Sequence, residues 1–244
     1  MSVTNTESRT QVHEIAAGIF RISTPAQIPG GSFSFNQFLI VDEEPLLFHT
    51  GPRKLFPLVK QAVDTIIPAS TLRHISFSHF EADECGSLNE WLAVAPAAAP
   101  LCGSVAAMVS VDDFADRPAR PLADGEEVSL GTHTVKWIDT PHLPHAWECG
   151  CLMERSTGTL LCGDLFTQPG DILPPVTEGD ILEASEEFRH LMDYFSHTRG
   201  VAALIEKLAA EEPGTLACMH GSAWGGDGAA LLRELGGRLD WGAR

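Results

Sequence analysis

The chain has 244 residues, 44% of them hydrophobic, which is enough for a sizeable core, and a formal net charge of −17 from 16 Lys plus Arg against 33 Asp plus Glu. A surface this acidic repels nucleic acid and anionic membranes, so no nucleic acid and no membrane is expected as a partner, and a polyanionic substrate is disfavoured. No stretch reaches the ~18 apolar residues of a membrane-spanning helix, and the polar start, residues 1–11, lacks the apolar centre of a signal peptide.

Hydrophobic patterning gives the elements in chain order. Residues 12–22 and 33–41 alternate as strands, and 46–49 continue the sheet. Residues 55–65 have helical spacing through Leu55, Leu58, Val59, Ala62 and Val63. Residues 74–78 read as a short buried strand, and 86–94 and 104–109 as short helices. Between these helices, 95–100 is an Ala/Pro connector. Residues 128–130, 132–139, 150–154 and 159–162 read as strands, and 170–180 as a Pro/Gly-rich loop. Helices are expected over 184–194 and 199–210, a strand over 215–218 and a closing helix over 227–235. No internal repeat or low-complexity tract interrupts this α/β order, and residues 1–244 are expected to form one domain.

The six cysteines, Cys85, Cys102, Cys149, Cys151, Cys162 and Cys218, form no Cys-x-x-Cys pair. They are expected as reduced, buried thiols in a cytoplasmic protein, filling core positions as small apolar side chains.

The chemistry concentrates at the ends of the predicted strands. His79, Glu81 and Asp83 alternate directly after the 74–78 run, with Glu84, Cys85 and Gly86 following. Further on, Thr140-Pro-His-Leu-Pro-His145, Leu161-Cys-Gly-Asp164 and Cys218-Met-His-Gly221 each end an apolar run in His or Asp and break into Gly or Pro. Strand tips that deliver imidazoles and carboxylates to one cleft are a metal-site pattern. Mixed His and carboxylate donors suit non-haem iron or manganese, and hard oxygen donors offset the ionic charge.

These motifs, taken together from residue 35 to His220, resemble the metallo-β-lactamase superfamily. Glu81 stands where that superfamily usually has a second histidine, and this resembles its di-iron branch, the flavodiiron and related oxygen-binding di-iron proteins. The resemblance implies an αββα sandwich of two mixed sheets flanked by helices. It implies two metal ions, iron favoured over zinc or manganese, held by His79, Glu81, Asp83, His145, Asp164 and His220. Within that set, His79, Glu81 and His145 would serve the first ion, Asp83 and His220 the second, and Asp164 both. His142 competes with His145 for the distal position, or orients a ligand from behind. Glu84 replaces the usual histidine; it binds the second ion, accepts a hydrogen bond or faces solvent.

His49-Thr50-Gly51 falls where the superfamily often has Asp-Thr-Gly, and His49 is expected to support the loop beneath the metals. Phe80, Trp147, Phe166 and Trp224 lie near proposed ligands and either wall the site or belong to the core. Tyr194, the only tyrosine, is a weaker candidate donor to a metal-bound species. His13, His74, His133, His190 and His197 lack motif context and are expected at surface or satisfied core positions.

The function so implied is binding or reduction of dioxygen or nitric oxide as the small-molecule ligand. No flavin site is legible in this chain, so electrons would come from a separate donor protein. A homodimer is compatible with this reading. The alternative is a metallohydrolase acting on a thioester, lactone or phosphoester through a metal-bound hydroxide.

Overall fold

A computed structural model describes residues 2–28, 31–196 and 199–239. Its first half alternates short strands and helices: β1 (Ser2–Asn5), β2 (Thr10–Ala16), β3 (Ile19–Ile28), β4 (Gly31–Ile40), β5 (Leu46–Phe48), α1 (Phe56–Asp64), β6 (His74–Ser76), α2 (Ala82–Cys85), α3 (Leu88–Val94) and β7 (Ala99–Gly103). A helical stretch follows from α4 (Ser104–Ala106) through a π-type turn to α5 (Asp112–Phe114), then β8 (Arg120–Leu122). The second half holds β9 (Glu127–Ser129), β10 (Thr134–Asp139), β11 (Gly150–Glu154), β12 (Thr159–Leu161), β13 (Val176–Thr177), α6 (Leu182–Met192), α7 (Val201–Ala209), β14 (Thr215–Ala217), β15 (Ala223–Gly225) and α8 (Gly228–Arg238).

Among the described residues these strands form two mixed sheets. The first runs β1 to β8 in chain order, and the second runs β13-β15-β14-β12-β11-β10-β9. Apolar side chains from both sheets meet between them: Phe38, Phe48 and Leu101 from the first, Val135, Trp137 and Leu152 from the second. The outer face of the first sheet packs through Ile22, Leu39 and Ile75 against α1 and α3. That of the second packs through Met153, Leu160 and Leu216 against α6, α7 and α8. The architecture is the expected αββα sandwich. No helix among the described residues is long and apolar enough to cross a membrane.

The inter-sheet packing is close enough to demand glycine. A Cβ on Gly150 would stand 2.2 Å from Trp137 Cζ2, and one on Gly103 would stand 3.0 Å from the same ring. The indole therefore lies on two bare backbones, with its Nε1–H donating to Asp139 Oδ1 at 2.6 Å. This pins the ends of β10 and β11, paired at Asp139 and Gly150, and the loop between them carries His142 and His145.

Several element boundaries differ from the sequence reading. Residues 12–22 are two antiparallel strands, not one, because Gly18 at φ +72° turns the chain between β2 and β3. The 95–100 connector runs into β7, which lies between β6 and β8 in parallel register. The 170–180 loop contains the two residues of β13. Residues 86–94 begin as the end of the separate turn α2, and the helix proper starts at Leu88. The strands β1, β8 and β15 have no counterpart in the sequence reading.

All six cysteines are free and buried. Burial pushes the Cys85 thiol well above its ordinary range and pushes Cys102 and Cys151 up to about 12. Such thiols are inert fillers rather than nucleophiles.

Candidate metal centre

The parallel strands β5, β6 and β7 of one sheet and β12 and β14 of the other direct their carboxyl ends to one edge of the sandwich. Past β6 the chain presents His79 and Glu81, and the single turn α2 adds Asp83 and Glu84. The β10–β11 loop brings His145, the turn after β12 brings Asp164, and the turn after β14 brings His220. Three overlapping groups result: His79 with Glu81 and His145, His79 with Glu84 and Asp164, and Asp83 with Glu84 and His220.

Asp164 stands between the two ends of this cluster. Its Oδ2 lies 3.7 Å from His79 Nε2 and 3.6 Å from His145 Nε2, while its Oδ1 lies 3.4 Å from His220 Nε2. Glu81 Oε1 is 3.1 Å from His145 Nε2 and 3.8 Å from His79 Nε2. Asp83 Oδ2 is 3.4 Å from His220 Nε2. The cluster opens to solvent at Glu81, whose side chain is 50% exposed, and closes at His79 and Glu84, both 0% exposed.

Second contacts fix which ring nitrogen faces inward. His220 Nδ1–H donates to the Ser34 carbonyl at 2.8 Å, which leaves Nε2 with a lone pair toward Asp83 and Asp164. His79 Nδ1 lies 2.9 Å from Ser78 Oγ, and Ser78 Oγ lies 3.1 Å from His49 Nε2. His49 Nε2 also accepts from the Ser78 amide, so it carries no proton there. The relay then runs from His79 Nδ1–H to the Ser78 hydroxyl and on to His49, and frees His79 Nε2 for the cluster. Burial keeps His49 neutral and pulls its pKa down to about 3.

The charges are concentrated and poorly offset. No lysine or arginine among the described residues is ion-paired with Glu81, Asp83, Glu84 or Asp164. Burial opposes charge on His220, but the Asp164 and Asp83 carboxylates outweigh it and raise its pKa to about 9. Burial likewise opposes charge on Asp164, yet His220, His79 and His145 hold its carboxyl well below the usual range. Glu84 has no such help: burial, then Asp164 and Asp83, push its pKa well up. Burial also pushes His79 down, whereas Glu81 and Asp164 overcome burial at His145 and push it up.

Several polar atoms at the centre are buried without a hydrogen-bond partner: His79 Nε2, both oxygens of Glu84 and Asp164 Oδ1. Buried polar atoms are normally satisfied. Orphaned lone pairs of imidazole and carboxylate, converging from the 79–84 segment and the turn after β12, fit a bound cation.

His142 does not join this cluster. It is exposed, at φ +64°, with its amide donating to the Ala146 carbonyl at 2.8 Å. The solvent-facing orientation weighed for Glu84 does not occur either, since that side chain is fully buried. Tyr194 faces the site through Asp164: its hydroxyl donates to the Asp164 carbonyl oxygen at 3.1 Å. Phe166 is core, and Phe80 packs against Phe77 and Phe114. Trp147 is 54% exposed, and the Trp224 Nε1–H donates to the Gly179 carbonyl. His197 lies outside the described residues.

The aromatic wall is built by residues the sequence reading did not single out. Phe33 stacks on His220 with ring centroids 4.2 Å apart, and Phe35 meets it edge-on at 5.5 Å. The only sequence signal is the Phe-x-Phe alternation in β4, which core strands share. Glu148 was also missed; its Oε1 accepts from the Phe80 amide at 3.0 Å and ties the His145 loop to the His79 turn.

Sandwich and cluster together define a metallo-β-lactamase-type protein with a histidine and carboxylate centre at the strand ends. The match to the ODP family beta lactamase spans residues 33–221, and the chain belongs to that family. A Nostoc sp. protein carrying the name diflavin flavoprotein A 1 is 25% identical over 193 residues, which cover 77% of this chain and 33% of that protein. The chain thus spans about a third of that relative's length. Among solved structures, a metal-soaked flavodiiron core from Synechocystis sp. superposes with a TM-score of 0.80 at 19% identity, covering 95% of this chain and 61% of the other. The rubredoxin oxygen:oxidoreductase of Desulfovibrio gigas does so with a TM-score of 0.81 at 17% identity, covering 96% and 63%.

Proposed function

We propose that this chain, as one domain over residues 1–244, holds two iron ions and binds or reduces dioxygen or nitric oxide with electrons from a separate donor. The observation that carries the reading is Asp164, whose two oxygens face different histidine sets, with His79 and His145 on one side and His220 on the other. His79, Glu81 and His145 would hold one ion, and Asp83 and His220 the other, with Asp164 between them. Glu84 is buried against both positions and is the remaining carboxylate available to either. Glu81 in place of an imidazole favours iron over zinc, because a second hard anionic oxygen stabilises the higher oxidation state. The name of the Desulfovibrio gigas structure, an oxygen:oxidoreductase, supports the same chemistry.

Two iron ions held by these residues would supply the electrons for reduction of a diatomic ligand. The chain's own residues set the conditions for this. Ser34 and Ser78 orient the rings of His220 and His79 through their Nδ1 atoms. Phe33 and Phe35 cover His220 and limit water on that side. Tyr194 holds the Asp164 backbone in place. The free buried thiols fit a reducing compartment, and we place the protein in the cytoplasm.

The test is metal analysis of protein made without added metal, followed by anaerobic reduction and mixing with dioxygen or nitric oxide. The expected result is two irons per chain and a new visible absorption on mixing. One zinc per chain, no iron and hydrolysis of model thioesters would replace this reading with the hydrolase.

A further inference from the structure

Away from the cluster, residues of β2, β3 and β4 and the segment from Asp171 to Pro175 line a cavity of about 370 Å³. That is the size range of small-molecule sites, which combine apolar walls with a few convergent polar groups. Here the apolar wall includes Pro25, Leu173 and Pro174, and the polar side includes Gln11, Ser23 and Ser34.

The charges in this cavity do not balance. Arg9 is matched: its Nη2 lies 2.5 Å from Asp171 Oδ2. Arg21 is not. It is 4% exposed, its Nη2 donates to the Gly221 carbonyl at 2.7 Å, and its Nε is buried without an acceptor. No carboxylate among the described residues is ion-paired with it, and burial pulls its pKa down to about 10. A buried guanidinium without a counter-ion is costly, and the cost is removed when a carboxylate completes its hydrogen bonds. The contrast with the rest of the chain is sharp, since its net charge is −17. A cation left unmatched in so acidic a protein points to an anion from outside.

We propose that this cavity binds a small organic monocarboxylate, its carboxylate on Arg21 and its hydrocarbon body against Pro25, Leu173 and Pro174. A bare inorganic anion matches the guanidinium but leaves the apolar wall uncovered. A neutral apolar molecule matches the wall but leaves Arg21 unpaired. The site is separate from the metal positions, although Ser34 borders both: its carbonyl accepts from His220 Nδ1 and its hydroxyl accepts from the Gly221 amide.

Calorimetric titration of the full chain with hexanoate, hexanol and inorganic phosphate tests this. Hexanoate is expected to bind, with hexanol and phosphate at least roughly tenfold weaker, the scale of one charged hydrogen bond. Arg21→Gln should weaken hexanoate by about 10–100-fold, and Arg21→Lys should recover part of the loss. Should Arg21→Gln lose its cooperative melting, Ser23→Asp serves instead, because it places a carboxylate inside the cavity and should abolish hexanoate binding. No hexanoate binding, equal binding of hexanol, or tighter binding of phosphate overturns the proposal. So does hexanoate binding that survives Arg21→Gln and Ser23→Asp but disappears in Asp164→Asn, since that is coordination at the metal cluster.

Discussion

Single side chains at the centre differ in how many neighbours depend on them, and that orders the effects of their loss. Asp164 faces three imidazoles through two oxygens, so Asp164→Asn removes a negative charge from both proposed ion positions at once. Metal analysis of this variant should show loss of both ions, not of one. His145 and His142 separate more sharply. His145 Nε2 lies within 3.6 Å of both Glu81 and Asp164 carboxylate oxygens, whereas His142 is exposed outside the cluster. His145→Ala should therefore empty the position shared with His79 and Glu81, and His142→Ala should leave metal content unchanged. His49 acts at one remove, through Ser78. His49→Ala should retain both ions but weaken the His79 position by about 10–100-fold, the usual scale for a residue that orients a ligand. Competition with a chelator reads that difference, and equal retention in His145→Ala and His142→Ala would move the distal ligand elsewhere.

At the scale of elements, the hairpin from β11 to β12 holds a carboxylate far from the metal cluster. Glu154 is buried at the end of β11 and accepts from the Ser156 and Thr157 amides and the Thr157 hydroxyl, with His133 Nδ1 at 3.0 Å. Burial alone would raise its pKa, but these donors lower it below the ordinary 4.5. A carboxyl with a depressed folded-state pKa stabilises the fold fully above its unfolded value and loses that contribution as pH falls through the folded value. Glu154→Gln should thus cost about 1–3 kcal/mol near neutrality, as charged hydrogen bonds are lost. The gap to the parent should narrow in urea titrations carried into the acid limb; a gap independent of pH would mean that packing, not charge, explains the loss. Elements such as β11 were legible because an apolar run ends in a polar turn. The β7 strand was not, because Pro100 and its alanines imitate a connector, yet the neighbouring parallel strands hold it in register. The histidine and carboxylate cluster was legible for a related reason: its residues follow the ends of apolar runs, with Pro144, Gly163 and Gly221 beside His145, Asp164 and His220. Its support was not, since Phe33, Ser34, Ser78 and Tyr194 meet the ligands only after β4, β6, β12 and β14 converge. Arg21 was hidden likewise, as one polar residue in an alternating strand.

For the molecule as a whole, the sandwich places the cluster at one edge, with Glu81 half open to solvent, beneath a net charge of −17. A long-range field of this sign attracts cationic encounter partners and repels anionic ones, and salt screens both effects. If electrons enter from outside, the charge of the donor must then show in the kinetics. Reduction of the iron-loaded protein by a cationic viologen radical should slow as ionic strength rises, and reduction by anionic dithionite should quicken. The Debye length shortens from about 30 Å at 0.01 M to about 10 Å at 0.1 M salt, so the two rates should approach each other across that range. Stopped-flow reduction under anaerobic conditions measures both. Equal salt dependence for the two reductants would mean that the acidic surface lies away from the entry route, and that local charges around Glu81, not the net charge, govern the approach of a donor.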